Sequence, residues 1–164
     1  VIVIPNHNPD GYANFSRYNA RGVDLNRNFQ TNDWSLIAYL WNRIVNAGDY
    51  PFSEPENIVL RNFVYSENIG KLISYHSAAN KVFASEIADG VLFRPSLNFA
   101  RLYNSYSGYN PDDNFVWEYY PISGDLSSWV SQALGIPAIT IELSDGVSID
   151  WEKNLPAMIT SISY

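Results

Sequence analysis

The chain has 164 residues, enough for about one domain, and with 46% apolar and 16% charged residues a sizeable core is within reach and global disorder is excluded. A net charge of −7, with ten Lys and Arg residues scattered along the sequence, argues against a nucleic-acid surface. The absence of cysteine excludes a disulfide scaffold, a thiolate zinc site and a cysteine nucleophile, and no apolar run approaches the roughly 20 residues that cross a bilayer.

Val1-Ile2-Val3-Ile4-Pro5 reads as a fully buried strand that starts without a cap or polar lead. Because a buried parallel strand has neighbours on both sides, residues of the same fold are expected upstream of Val1. A polar, turn-rich loop then runs from Asn6 to Asn32, with Asn8-Pro9-Asp10-Gly11 as a strong turn signature; loops of that length inside a domain are usually functional. Trp34, Ile37, Ala38, Trp41, Ile44 and Val45 recur at helical spacing and predict a helix, which Asn46-Ala47-Gly48-Asp49-Tyr50-Pro51 breaks. Ser53-Glu54-Pro55-Glu56 predicts a helix start, with Ser53 as cap, Pro55 in the first turn and Glu56 as capping-box partner, running to about Asn68.

Lys71 to His76 predicts a short strand and Lys81 to Ile87 another, with His76 at the edge of the loop between them. Pro95-Ser96 opens a helix that Gly108 ends, and Ser107 to Gly124 reads as a long surface loop. Asp125 caps a short helix closed by Gly135. Pro137 to Leu143 is a strand rich in β-branched residues that ends on a carboxylate, and Trp151 to Ile162 is a final helix. Strands alternating with helices imply an α/β sheet with helices on its faces, and the sequence shows no repeat or domain boundary.

In open α/β sheets, sites form beyond the carboxyl ends of strands, where three polar groups fall: the Asn8 to Phe29 loop, His76 and Glu142. A carboxylate that follows Ile-Thr-Ile is costly to bury unless it is paired or works as a tuned acid or base. Arg17, Arg21, Asn26 and Arg27 put several donors in one loop, and Arg is suited to bidentate capture of a carboxylate. On composition alone, a solvated charged loop is the simpler reading of that group.

These segments resemble the zinc carboxypeptidase family, the funnelin metallopeptidases. Asn8-Pro9-Asp10-Gly11 and the run Arg17 to Phe29, which contains Gly22-Val23-Asp24-Leu25-Asn26-Arg27-Asn28-Phe29, are similar to the family's NPDG and GVDLNRNF blocks. Ser53-Glu54-Pro55-Glu56 matches its SEPE element, Tyr75-His76-Ser77 its third-ligand block, and Gly135 to Leu143 its catalytic-glutamate strand. The blocks follow in order over nearly the whole chain.

The resemblance implies a mixed, mostly parallel sheet with helices on both faces, in a single catalytic domain over residues 1–164 that lacks its N-terminal strands. It implies that His76 is a ligand of a Zn2+ cofactor and that Glu142 is the general base that activates the zinc-bound water and then protonates the leaving amine. Arg17 would stabilise the tetrahedral oxyanion. Asn26 and Arg27 would grip the substrate's terminal carboxylate, Tyr120 would cap it, and Ser77 would contact the substrate. Asp24 matches the carboxylate that orients a ligand histidine from behind. The family's other two zinc ligands lie in a His-x-x-Glu motif upstream of NPDG. This chain has no such motif, and its other histidine is His7. Catalytic zinc takes three protein ligands, so the sequence reads as a chain lacking part of its domain, with a metal-free relative as the alternative.

The expected partner is a peptide with a free C-terminal carboxylate. Specificity in the family is set shortly after the capping Tyr, here Asp125 to Ser128; Asp125 offers attraction for a basic terminal residue, against its simpler role as helix cap. The compact Arg17 to Val23 loop and the pattern from Tyr120 to Trp129 look more like bacterial members, some of which cleave murein peptides at diaminopimelate. A murein peptide amidase is thus the second reading. A non-catalytic module that binds peptide C-termini is the third. A secreted or cell-envelope location is expected for such a peptidase.

Overall fold

The computed structural model describes residues 1–88 and 90–163. They group into two compact units, Val1–Ile69 with Glu118–Trp129, and Gly70–Trp117 with Val130–Tyr164. In chain order the elements are α1 (Pro9–Ala13), β1 (Ile37–Leu40), β2 (Arg43–Asn46), α2 (Pro55–Ser66), β3 (Leu72–Ser77), β4 (Lys81–Ala84), β5 (Glu86–Ala88), β6 (Val91–Leu92), α3 (Arg94–Ser107), α4 (Leu126–Leu134), β7 (Ala138–Leu143) and α5 (Trp151–Ser163). No described helix is long and apolar enough to cross a membrane.

In the first unit two expectations fail. Val1 to Ile4 forms no strand and is exposed, Val1 at 91%. A β-branched run becomes a strand only where another strand takes its N–H and C=O groups. The predicted Trp34 to Val45 helix is instead a hairpin, with β1 antiparallel to β2 and Leu40 paired with Arg43 across the two-residue turn Trp41-Asn42. Folding the chain there pairs Ala38 with Val45, and both are buried with Ala47 under Tyr18, Trp34 and Leu40. Apolar residues at helical spacing thus also satisfy a hairpin, and Ile44, Val45 and the aromatics favour the pleated form. Trp41 has φ +55°, a left-handed conformation that costs a non-glycine residue about 1–3 kcal/mol.

Helix α2 starts where expected but is capped differently. Its N-cap is Glu54, without a side-chain capping bond. The Ser53 hydroxyl is taken up by Asn28, whose Nδ2 donates to it at 3.0 Å, and by Glu54 Oε1, to which it donates at 2.7 Å. Glu56 accepts from Asn19 Nδ2 at 3.2 Å instead of closing a capping box. The core of this unit is aromatic: Trp129 packs on Phe29 at 5.6 Å, Phe52 at 5.2 Å and Tyr65 at 6.0 Å between ring centroids.

The second unit holds a mixed three-stranded sheet in the order β3-β7-β4, with β3 parallel and β4 antiparallel to β7. The strand expected from Lys81 to Ile87 breaks at Ser85 into β4 and β5, and β5 pairs with β6 as a separate hairpin. Ile139 and Ile141 of β7 are fully buried with Val82 and Ala84 of β4 against Phe99, Ala100 and Tyr103 of α3. The alternate residues, Thr140 and Glu142, lie on the opposite face. The protein is thus a mixed α/β protein.

A chain of hydroxyl, amide and carboxylate groups crosses this core. Tyr75 meets Tyr103 at 2.8 Å, Tyr103 donates to Asn154 at 2.8 Å, Asn154 donates to Tyr109 at 3.1 Å, and Tyr109 donates to Asp150 at 2.9 Å. Burial pushes the Tyr75, Tyr103 and Tyr109 phenols up, so they serve as neutral donors. The Asp150 carboxyl is held down at about 2, chiefly by the Ser144 hydroxyl and further by the Ser144 amide, Tyr109 and Ser148. A carboxyl lowered on folding stabilises the fold above its unfolded value of about 3.9, and that contribution fades as pH falls toward 2. The melting temperature of Asp150→Asn should therefore lie below that of wild type at pH 5 to 7 and converge on it as pH is lowered toward 2. Parallel melting curves across that range would show that Asp150 carries no ionic contribution.

Candidate functional site

In the first unit the GVDLNRNF run turns through a short 3-10 helix, Leu25–Arg27, capped by Asp24. Asp24 is buried, and its carboxylate is divided: Oδ2 accepts from Arg17 Nε at 2.6 Å and Oδ1 from the Asn26 amide at 3.2 Å. Arg17 keeps 36% side-chain exposure and is anchored through its Nε. Besides the role expected for it toward a ligand histidine, Asp24 holds Arg17 in place.

Asn26 Oδ1 accepts from the Leu126 amide at 3.0 Å, satisfying one of the orphan donors that open α4. Asp125 Oδ2 accepts from Ser128 N at 2.9 Å, the expected cap. Burial pushes the Asp125 carboxyl up, while Arg27 pulls it down. That burial and capping contact favour the cap over the substrate-binding role considered for it.

Arg27 is 1% exposed. Its Nε donates to the Tyr39 carbonyl at 3.1 Å, Nη1 to the Asn26 carbonyl at 2.6 Å, and Nη2 to the Tyr120 hydroxyl at 3.4 Å, with its Cζ 5.9 Å from the Tyr120 ring centroid. The segment that carries Tyr120 is fastened to this run: Phe29 N donates to Gly124 O at 3.0 Å and Gly124 N to Thr31 Oγ1 at 2.8 Å. Gly124 has φ +70°, and a Cβ there would overlap the Arg27 carbonyl, so only glycine lets the two segments approach. The structure thus gathers Arg17, Asp24, Asn26, Arg27 and Tyr120 in one unit.

In the second unit His76 and Glu142 are register partners on the parallel strands β3 and β7, and Lys81 of β4 is the partner of Glu142 on its other side. Paired residues project from one face at roughly 4.8 Å spacing between strands. An imidazole, a carboxylate and an ammonium therefore stand in a row at the carboxyl ends of β3 and β7. His76 Nε2 lies 3.0 Å from Ser74 Oγ, and Lys81 Nζ is bound to Asp112 at 2.9 Å. Ser77 follows His76 as the partner of Leu143, and the Ser77–Ala78 peptide is cis.

A proton acceptor beside a potential ligand suits hydrolysis. Among the described residues, however, no group of three His, Cys, Asp or Glu side chains is placed to hold a metal ion. His7 is engaged elsewhere, its Nε2 2.7 Å from Asn57 Oδ1 and its ring stacked on Phe29. The described residues therefore do not by themselves make a catalytic zinc site.

Two participants escaped the sequence. The Tyr39 carbonyl anchors Arg27, and Trp41 packs on Tyr119 and Tyr120; the hairpin that brings both there carries no turn signature in the sequence.

Comparison with known proteins places the chain in a family and a fold. The chain is 37% identical to murein peptide amidase A of Escherichia coli over 78 residues, 42% of this chain and 32% of that protein. Its fold matches the murein-tripeptide amidase of Escherichia coli O157 with a TM-score of 0.62 at 24% identity, covering 96% of this chain and 64% of that one. It matches carboxypeptidase A of Helicoverpa armigera with a TM-score of 0.71 at 22% identity, covering 98% of this chain and 49% of that one. The chain thus spans about a third of the curated amidase it matches and about half of the insect carboxypeptidase. The family model for zinc carboxypeptidases matches residues 1–156, and the chain belongs to that family of metallopeptidases.

Proposed function

We propose that this chain carries the carboxylate-binding and proton-transferring residues of a metallocarboxypeptidase that removes the C-terminal residue of a peptide. The observation that supports this reading most is Arg27, a buried guanidinium whose three hydrogen bonds go to the neutral oxygens of Tyr39, Asn26 and Tyr120. Its charge acts on the buried Asp125 carboxyl, yet none of these three hydrogen bonds goes to a carboxylate, and a terminal carboxylate fits the bidentate geometry that Arg prefers.

In this reading the Arg27 guanidinium and Asn26 Nδ2 bind the carboxylate while the Tyr120 hydroxyl closes over it. Holding the substrate by its end sets which peptide bond is presented. Arg17, fixed by Asp24, stabilises the negative charge that develops on the carbonyl oxygen. Glu142 takes a proton from the attacking water and returns it to the leaving amine. His76 is the residue of this chain that acts as a metal ligand, and Ser77 contacts the substrate. Members of the family are zinc enzymes.

The test is binding of a blocked peptide acid and the matching amide. Charge-assisted hydrogen bonds contribute about 1.5–3 kcal/mol each, so wild type should favour the acid by roughly 10- to 100-fold and Arg27→Gln should bind both alike. Equal binding of the two by wild type overturns the reading.

The 78-residue match to murein peptide amidase A favours a second reading, in which the substrate is a murein peptide and the location is the cell envelope. Faster release from a murein peptide than from an ordinary peptide acid separates the two.

A further inference from the structure

We propose that Trp41 is a positioning residue that holds Tyr120 beside the Arg27 guanidinium before a ligand arrives, and thereby sharpens the choice of a peptide carboxylate over its amide. The inference rests on the carboxylate-binding reading above and adds a residue to it from outside the matched motif blocks.

Trp41 sits at the tip of the β1–β2 hairpin and leaves 56% of its surface in water. Its ring nevertheless lies 5.3 Å from that of Tyr120, tilted by 53°, and 5.6 Å from that of Tyr119 in an edge-on contact. Two residues before Trp41 the same strand is tied to the cradle, because the Tyr39 carbonyl accepts from Arg27 Nε at 3.1 Å. Tyr120 closes the circuit through its hydroxyl, which lies 3.4 Å from Arg27 Nη2. Arg27, Tyr39, Trp41 and Tyr120 therefore form one ring of contacts in which the backbone of a two-residue turn fixes the Trp.

The turn makes the arrangement purposeful. Two-residue hairpin loops with φ above zero favour Asn, Asp or Gly, and a bulky aromatic at φ +55° persists only where its surroundings specify it. A hairpin tip that served only to cover apolar surface would not leave more than half of its Trp exposed. What the Trp does contact is Tyr119 and Tyr120, the second of which carries the hydroxyl that reaches Arg27.

Fixing that hydroxyl in advance removes an ordering cost from binding. The benefit falls mainly on a carboxylate, because a phenol donates a stronger hydrogen bond to a charged acceptor than to an amide carbonyl. Trp41 acts through Tyr120 and touches no reacting atom.

The experiment measures affinities of the 164-residue chain for a blocked dipeptide acid and its amide by titration calorimetry, for wild type, Trp41→Ala and Trp41→Phe, with circular dichroism to verify folding. Immobilising a side chain is worth about 0.5–1.5 kcal/mol, which is a change of roughly 2- to 10-fold. Trp41→Ala should lower the acid-to-amide affinity ratio by that factor while the amide affinity stays put, and Trp41→Phe should restore most of the ratio. An unchanged ratio in Trp41→Ala, or equal weakening of acid and amide, overturns the proposal while the carboxylate-binding reading stands. A wild-type protein without preference for the acid overturns both. Should Trp41→Ala fail to fold, Trp41→Leu, which fills the space without an aromatic face, carries the same expectation.

Discussion

Glu142→Gln, measured in a form of the protein that hydrolyses a peptide acid, should lower kcat by roughly 10²- to 10⁴-fold, the range that a positioned general base contributes, with binding of the peptide acid preserved. The side chains are isosteric, so the strand and its neighbours His76 and Lys81 keep their places; what disappears is the ability to accept a proton. Glu142 is one residue from the end of β7, paired on both sides, and the substitution therefore tests chemistry and not folding. Rate and affinity together decide the matter. Equal turnover by the amide variant would remove Glu142 from the mechanism, and equal loss of rate and binding would make it a substrate contact.

Trp129→Ala should be the most damaging substitution for stability. Trp129 is 2% exposed and meets Phe29, Phe52 and Tyr65 through ring contacts. Removing a buried Trp leaves a cavity that costs about 3–5 kcal/mol. At roughly 2–4 °C per kcal/mol for a chain of this size, the melting temperature should fall by about 6–20 °C, and Trp129→Phe should recover part of the loss. A fall of a degree or two would mean that the aromatic cluster collapses readily into the space, and that Phe29, which follows Arg27 by two positions, owes its place to backbone bonds such as that to Gly124 instead of to packing.

The elements that sequence reading located correctly are those with punctuation of their own. Pro55 opens α2, Asp125 and Gly135 bracket α4, Gly108 ends α3, and the Ile-Thr-Ile run makes β7. The hairpin at Ile37 to Asn46 was illegible because its turn, Trp41-Asn42, has no glycine and because residues three and four apart meet on a helix and can also meet across a hairpin. Val1 to Ile4 shows the same limit from the other side: its residues favour a strand, and pairing decides whether there is one.

For the candidate site, the sequence offers candidates through its motif blocks but does not show how they couple. Arg17, Asn26, Arg27, His76 and Glu142 stand out through motif blocks. That Asp24 serves Arg17, that Asn26 also caps α4, and that Arg27 leans on the Tyr39 carbonyl could not be read. Backbone acceptors carry no mark in a sequence, since every residue has the same carbonyl.

The row of His76, Glu142 and Lys81 is placed by two backbone ladders, parallel on one side of β7 and antiparallel on the other. Neither ladder reads the side chains that it aligns. The histidine or the glutamate can therefore be exchanged with the sheet left intact, so the architecture by itself does not carry the chemistry. Conversely, an insertion of one residue within β7 would turn Glu142 to the opposite face while leaving composition and motif letters nearly untouched. Under the proposed role of Glu142, strand length between Ala138 and Glu142 therefore decides whether its carboxylate stands beside His76.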